Sequence, residues 1–173
     1  HKVEQFGGVR DMLQSPVLFI AGSDSPEFNE NQVALLREYV NQGGFIFAVA
    51  NCNSADFDTG IRDLVTRMYP AGESQLKPLP SDHPIYRAEY PLDPEGVELY
   101  GADFGCRTAI VYSPDDLSCL WDKWMQHDPP GRTAQEKGMI TRATRIGVNV
   151  VAYATGREPP NKLDQLPEEN EDG

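Results

Sequence analysis

GGFIFAVANCNSADFD, residues 43–58, decides the fold. After the two glycines, Phe45 to Ala50 are apolar without alternation, which suits a strand buried on both faces of a parallel sheet. The chain then turns through Asn51, Cys52 and Asn53 into an Asp-rich start, Asp56 and Asp58. Beyond it Ile61, Leu64, Val65 and Met68 recur at helical spacing until Pro70. Upstream, Pro16 and Gly22 bound another apolar run, VLFIA, which predicts a second buried parallel strand. Asn29 and Gln32 form a capping arrangement ahead of Val33, Leu35, Leu36, Tyr39 and Val40, an apolar helical face that Gly43 and Gly44 stop. Strand, helix, strand, helix is the βαβα pattern of a parallel sheet with right-handed crossovers.

Downstream, residues 70–94 hold six prolines, which remove backbone donors and disfavour helix. An ordered, mostly extended loop is expected there. RTAIVYS, residues 107–113, reads as a third strand, and Val97 to Tyr100 as a short fourth. A T-x-x-E box at Thr133 and Glu136 opens a long helix through Ile140, Ala143, Ile146 and Val150 to Gly156. Residues 1–156 are expected to form one α/β domain, and residues 157–173 an acidic, Pro-rich tail or linker.

A chain of 173 residues can bury an adequate core without disulfides or a metal. Asp and Glu number 27 against 15 Lys and Arg, a formal charge of -12, of which the tail contributes -4. Such a charge repels phosphate backbones, so nucleic acid is not an expected partner. No apolar run approaches the ~18 residues of a membrane span, so this segment is not expected to insert into a membrane. Cys52, Cys106 and Cys119 are too scattered for a disulfide scaffold or a CxxC metal site. With no Walker loop and no G-x-G-x-x-G, no cofactor is expected, and no metal. HKVEQFGGVRD carries neither an initiator Met nor an apolar signal core, and reads as the start of a piece of a longer protein. Cytoplasm and periplasm stay equally open.

Cys52 should lie at the carboxyl edge of a central strand, where open parallel sheets bind ligands. It is either a nucleophile or a small residue at a tight corner. A nucleophile elbow needs small flanking residues, and here they are Asn51 and Asn53, which tolerate left-handed backbone. His83, in SDHPIY beside Asp82, would complete a thiol relay with Cys52 if the two met; otherwise it pins the proline-rich loop. His1 and His127 stand in no supporting pattern. SPDDLSCLW, residues 113–121, follows the third strand to the same sheet edge. There Asp115 and Asp116 would hold a cation or a sugar hydroxyl, with Trp121 and Trp124 as stacking surfaces. Alternatively, Ser113, Pro114 and the two acids simply start a helix. Asn51, Asn53, Ser113, Asp115, Asp116, Trp121 and Arg107 are the candidate ligand-binding residues. For Arg107 a clamp onto Asp56 or Asp58 is the structural alternative.

The ordered string PVLFIAG, LREYVNQGGFIFA, LPSDHPIY, GCRTAIVYSPDDLSCLW and GVNVVAYA resembles the bacterial domain-of-unknown-function family 4159 over residues 1 to about 155. That resemblance implies the flavodoxin-like fold of class I glutamine amidotransferases, a parallel sheet flanked by helices in three layers. It also implies attachment to other domains of the same polypeptide, such as prenyltransferase-like helical repeats, von Willebrand A domains or membrane segments. It places Cys52 where true amidotransferases carry their nucleophile. The glycine-flanked elbow is missing, however, and His83 precedes the late His-x-Glu position of those enzymes. DHPI is similar to a segment of trehalose-utilisation-like relatives, which implies a small polar or carbohydrate ligand. Three functions follow as expectations: a non-catalytic ligand-binding domain, a cysteine-dependent hydrolase or amidotransferase, and a docking module for neighbouring domains.

Overall fold

Asn29 opens the first long helix with a reciprocal capping box: its side chain accepts from the Gln32 amide, and the Gln32 side chain accepts from the Asn29 amide, both at 2.9 Å. The computed structural model describes residues 8–125 and 131–156; His1, His127 and the expected tail 157–173 lie outside the described residues. In order the elements are α1 (Val9–Met12), β1 (Val17–Gly22), α2 (Glu30–Asn41), β2 (Phe45–Ala50) and α3 (Ala55–Met68). After them come β3 (Lys77–Pro78), β4 (Tyr100–Phe104), β5 (Arg107–Ser113), α4 (Leu117–Met125) and α5 (Ala134–Ala154). Single helical turns at Asn51–Asn53, Pro84–Arg87 and Pro94–Gly96 punctuate the connections.

The result is a mixed α/β fold around a five-stranded sheet of order β1-β2-β5-β4-β3. β1, β2 and β5 run parallel at its centre and one side, Val17 pairing with Phe45 and Val49 with Ser113. All six residues of β2 are buried, as a strand flanked on both faces requires. Its side chains alternate between two cores. Ile46, Ala48 and Ala50 join Leu36 of α2 and Phe57, Ile61 and Leu64 of α3. Phe45, Phe47 and Val49 instead join Leu117 of α4 and Ala143, Ile146 and Val150 of α5. The period-two geometry of a strand explains the division.

Three expectations need correction. β1 is parallel but lies at the sheet's edge and is only half-buried, with Phe19 46% exposed. The expected fourth strand does not occupy 97–100: β4 begins at Tyr100 and runs antiparallel to β5. Gly105, at φ 62°, and Cys106 form the turn of that hairpin, a Gly-containing two-residue connection that is itself a hairpin signal. The helix after β5 begins at Leu117, three residues beyond Pro114. The proline-rich segment is an ordered loop, with the two-residue β3 pairing against β4.

Candidate functional site

Because β1, β2 and β5 are parallel, their carboxyl ends at Gly22, Ala50 and Ser113 share one edge of the sheet. The three segments leaving that edge are joined by hydrogen bonds. Ser54 caps α3, accepting from the Phe57 amide, while its own hydroxyl donates to the Ser23 carbonyl after β1. Asp116 joins the other two. One of its oxygens accepts from the Cys52 amide at 2.7 Å, and the other accepts from the Cys119 amide at 2.9 Å. The second bond is an N-cap contact for α4. The Asp116 amide in turn donates to Asn53 Oδ1 at 2.9 Å. The Ser118 hydroxyl lies 2.7 Å from Asn51 Oδ1 and 2.9 Å from Asp116 Oδ1, and shares its proton between them.

Burial opposes ionisation of Asp116, but the Cys119 and Cys52 amides and the Ser118 hydroxyl outweigh it and hold the carboxyl below the usual carboxylate range. Its neighbour differs. Burial, and then the charge of Glu98, lift Asp115 above that range. Both acids line a groove of about 410 Å³ together with Asn53, Cys119, Leu120, Ile146 and Arg142. Ser113 is buried at the end of β5, where its hydroxyl donates to the Asp115 carbonyl at 3.2 Å, so it shapes the loop below the groove.

Cys52 is exposed and adopts a left-handed conformation, φ 53° and ψ 27°, and Asn53 follows at φ 52°. The corner therefore places left-handed strain on the cysteine itself. Its amide is committed to Asp116, so that N–H is not free to stabilise an oxyanion.

The expected Cys52–His83 relay is not formed. His83 is buried, and its Nδ1 accepts from the Ile85 amide at 3.2 Å, which assigns the proton to Nε2. Nε2 donates to Thr108 Oγ1 at 3.0 Å, and that hydroxyl donates to Asp103 at 2.6 Å. Burial depresses the imidazole below its ordinary value, more than the charges of Asp103 and Asp82 raise it. Thr108 stands five residues before Ser113 on β5, which is about 16 Å along a strand rising ~3.3 Å per residue. His83 is thus the pin of the proline-rich loop, at the far end of the sheet from Cys52.

Arg107 and Trp121 are not among the residues lining the groove. Arg107 donates to the Val40 and Gly44 carbonyls at 3.3 and 2.8 Å, at the amino edge of the sheet where α2 ends. Neither Asp56 nor Asp58 is its partner; Asp58 forms a two-point ion pair with Arg62, at 2.9 and 3.1 Å. The Trp121 indole donates to the Ala143 carbonyl at 2.7 Å and packs against Phe19 and Phe47, joining α4 to α5 and the sheet. Ser118, which bonds Asn51 and Asp116, and Cys119, which lines the groove with Gly96, Leu120, Met139 and Arg142, were not among the candidate site residues. For both the signal was their place in the first helical turn after Asp116.

Among the described residues no group of three or more His, Cys, Asp or Glu side chains is arranged to hold a metal ion, and no helix is long and apolar enough to cross a membrane.

The model of the family described as domain of unknown function, DUF4159, matches residues 7–155, and the chain belongs to that family. No curated protein matches it.

Proposed function

We propose that this DUF4159 domain is a non-catalytic binding module on a three-layer, flavodoxin-like scaffold of the class I glutamine amidotransferase type, and that it takes a small polar or carbohydrate ligand at the carboxyl edge of the sheet. The observation that carries this is the groove at that edge. Asn53, Asp115 and Asp116 form a polar wall in its lining, and Leu120, Met139 and Ile146 add apolar surface. A few fixed polar groups against an apolar wall is the usual composition of a small-molecule site. The hydrogen bonds from Asp116 to the two turns hold that wall in place before any ligand arrives, which reduces the ordering cost of binding. The two separate cores, one on each face of β2, support the three-layer scaffold.

Thermal melts of the domain against sugars, polyols and amino acids test the proposal. A ligand at about ten times its Kd stabilises by about 1.4 kcal/mol, which is a rise of a few degrees in a domain of this size. The rise should disappear in Asn53→Ala. A panel without any shift, or shifts unchanged by that substitution, would contradict it.

A docking role toward other domains of the same polypeptide is a second reading. It is favoured by Trp124 and Met125, 60% and 80% exposed at the end of α4, since large apolar side chains grouped at a surface mark interaction sites.

A further inference from the structure

The groove does not end at Arg142. Gly96 and Arg142 also border a second cavity of about 460 Å³ between α5 and the 91–97 loop, and Lys137 and Arg145 reach into it as well. In a chain of net charge -12, the described residues lining this cavity set the two arginines Arg142 and Arg145 against one acid, Asp93. One oxygen of Asp93 is already engaged, accepting from the Glu95 amide at 3.0 Å.

The two arginines are held in place by the loop they face. Arg142 donates to the Gly96 carbonyl at 3.0 Å. A side chain at position 96 would meet that guanidinium at 2.9 Å and push it aside. Arg145 lies over the ring of Tyr90, its guanidinium carbon 5.4 Å from the centroid. Tyr90 is itself fixed by Asn149 of α5, which is fully buried: Asn149 accepts from the Tyr90 amide and donates to the Tyr90 carbonyl, both at 2.8 Å. Among the described residues the Arg145 guanidinium makes no hydrogen bond or ion pair. A planar fork held by its face, with its N–H edge unengaged, is suited to oxyanions.

We infer that the cavity between α5 and the 91–97 loop binds an oxyanion, a phosphate or carboxylate group, through Arg142 and Arg145, and that this group is one end of the ligand whose polar body lies in the adjoining groove. The inference rests on the proposed binding role and adds the ligand's class: an anionic polyol or sugar derivative, oriented by charge. Asp115 and Asp116 at the other end of the shared groove repel an anion placed in reverse, which fixes the direction.

The test titrates the ¹⁵N-labelled domain with inorganic phosphate and, separately, with sodium acetate, at constant ionic strength so that general screening is matched. Saturable shifts of the Gly96, Arg142 and Arg145 amides with either probe are expected, and the stronger probe names the anionic group. Affinity should fall at least tenfold in Arg145→Gln. It should also fall in Gly96→Ala, which displaces the Arg142 guanidinium and leaves Arg145 in place. Linear shifts equal to those given by chloride, or unchanged affinity in both variants, would overturn the inference. Neutral sugars report at Asn53 and Cys119 instead, so loss of the anion site and loss of the groove are read separately.

Discussion

The Cys52 amide donates a 2.7 Å hydrogen bond to Asp116, 64 residues further along the chain, and so fixes the turn after β2 to the turn after β5. The same carboxylate caps α4 through Cys119. One side chain thereby sets the relative position of two strand exits and one helix start, and the groove wall is built on it.

Asp116→Ala should destabilise the domain by about 2–3 kcal/mol, since two amides and a hydroxyl lose a charged partner. Asp116→Ser, which keeps a capping oxygen, should cost less. The carboxyl lies below its unfolded value. Its contribution is therefore complete above the unfolded carboxylate pKa of about 3.9 and is lost as pH falls through the lower folded value. Urea denaturation at pH 7 and pH 3 checks both points: the acid loss should shrink in Asp116→Asn.

At Cys52 the backbone, not the thiol, should dominate substitution. Left-handed backbone costs an L residue about 1–2 kcal/mol, and glycine avoids that at an entropic cost of about 0.5–1 kcal/mol. Cys52→Gly is expected to hold or raise stability by up to about 1 kcal/mol. Cys52→Val, with its branched Cβ, should lower it by about 1–2 kcal/mol. Cys52→Ser should change neither stability nor ligand affinity appreciably. Melting curves of the three variants decide, and a large loss on Cys52→Gly would point to a role for the side chain.

His83 should make stability depend on pH in a different window. Its imidazole is depressed in the folded state, so the native domain resists protonation that the unfolded chain accepts near pH 6.5. Stability is full above that value and falls as pH drops from about 6.5 toward the folded value. Denaturation midpoints at pH 7.5 and 5.5 should separate in the native sequence and converge in His83→Gln.

Arg107→Ala should cost about 1–2 kcal/mol, because the Val40 and Gly44 carbonyls at the end of α2 lose a charged donor. Ligand affinity should not change, because Arg107 starts β5 and the groove lies beyond its end. Weakened binding without loss of stability would place the site at the wrong edge.

Much of this was readable in the chain. Uniform apolarity identified β2, the caps at Asn29 and Thr133 fixed two helix starts, and the cysteine after that strand lies at the carboxyl edge of the parallel strands, where the sequence placed it. What failed were pairings. Residues 83 and 52 lie in segments that suggest a relay, but which end of the sheet a proline-rich loop covers depends on β4 reversing direction, and that was set by the Gly105–Cys106 turn. For Arg107 the sequence leaves a ligand or a carboxylate clamp open, and the end of α2 supplies carbonyls instead. Trp121 reads from sequence as a stacking surface for a ligand, but its indole donates to the Ala143 carbonyl, a partner on another helix. Single elements follow from local patterns, whereas partners 60 residues apart follow from topology.

The most direct test of the central claim, that the carboxyl edge of the parallel strands is the binding site, is an amide chemical-shift titration of the native domain with glucose, a disaccharide, glycerol and glutamine. Saturable shifts from at least one probe, centred on Asn53, Asp116, Cys119 and Ile146, are the predicted result. No saturable shift at those amides from any probe, or shifts centred on the 73–83 loop around His83, would contradict it.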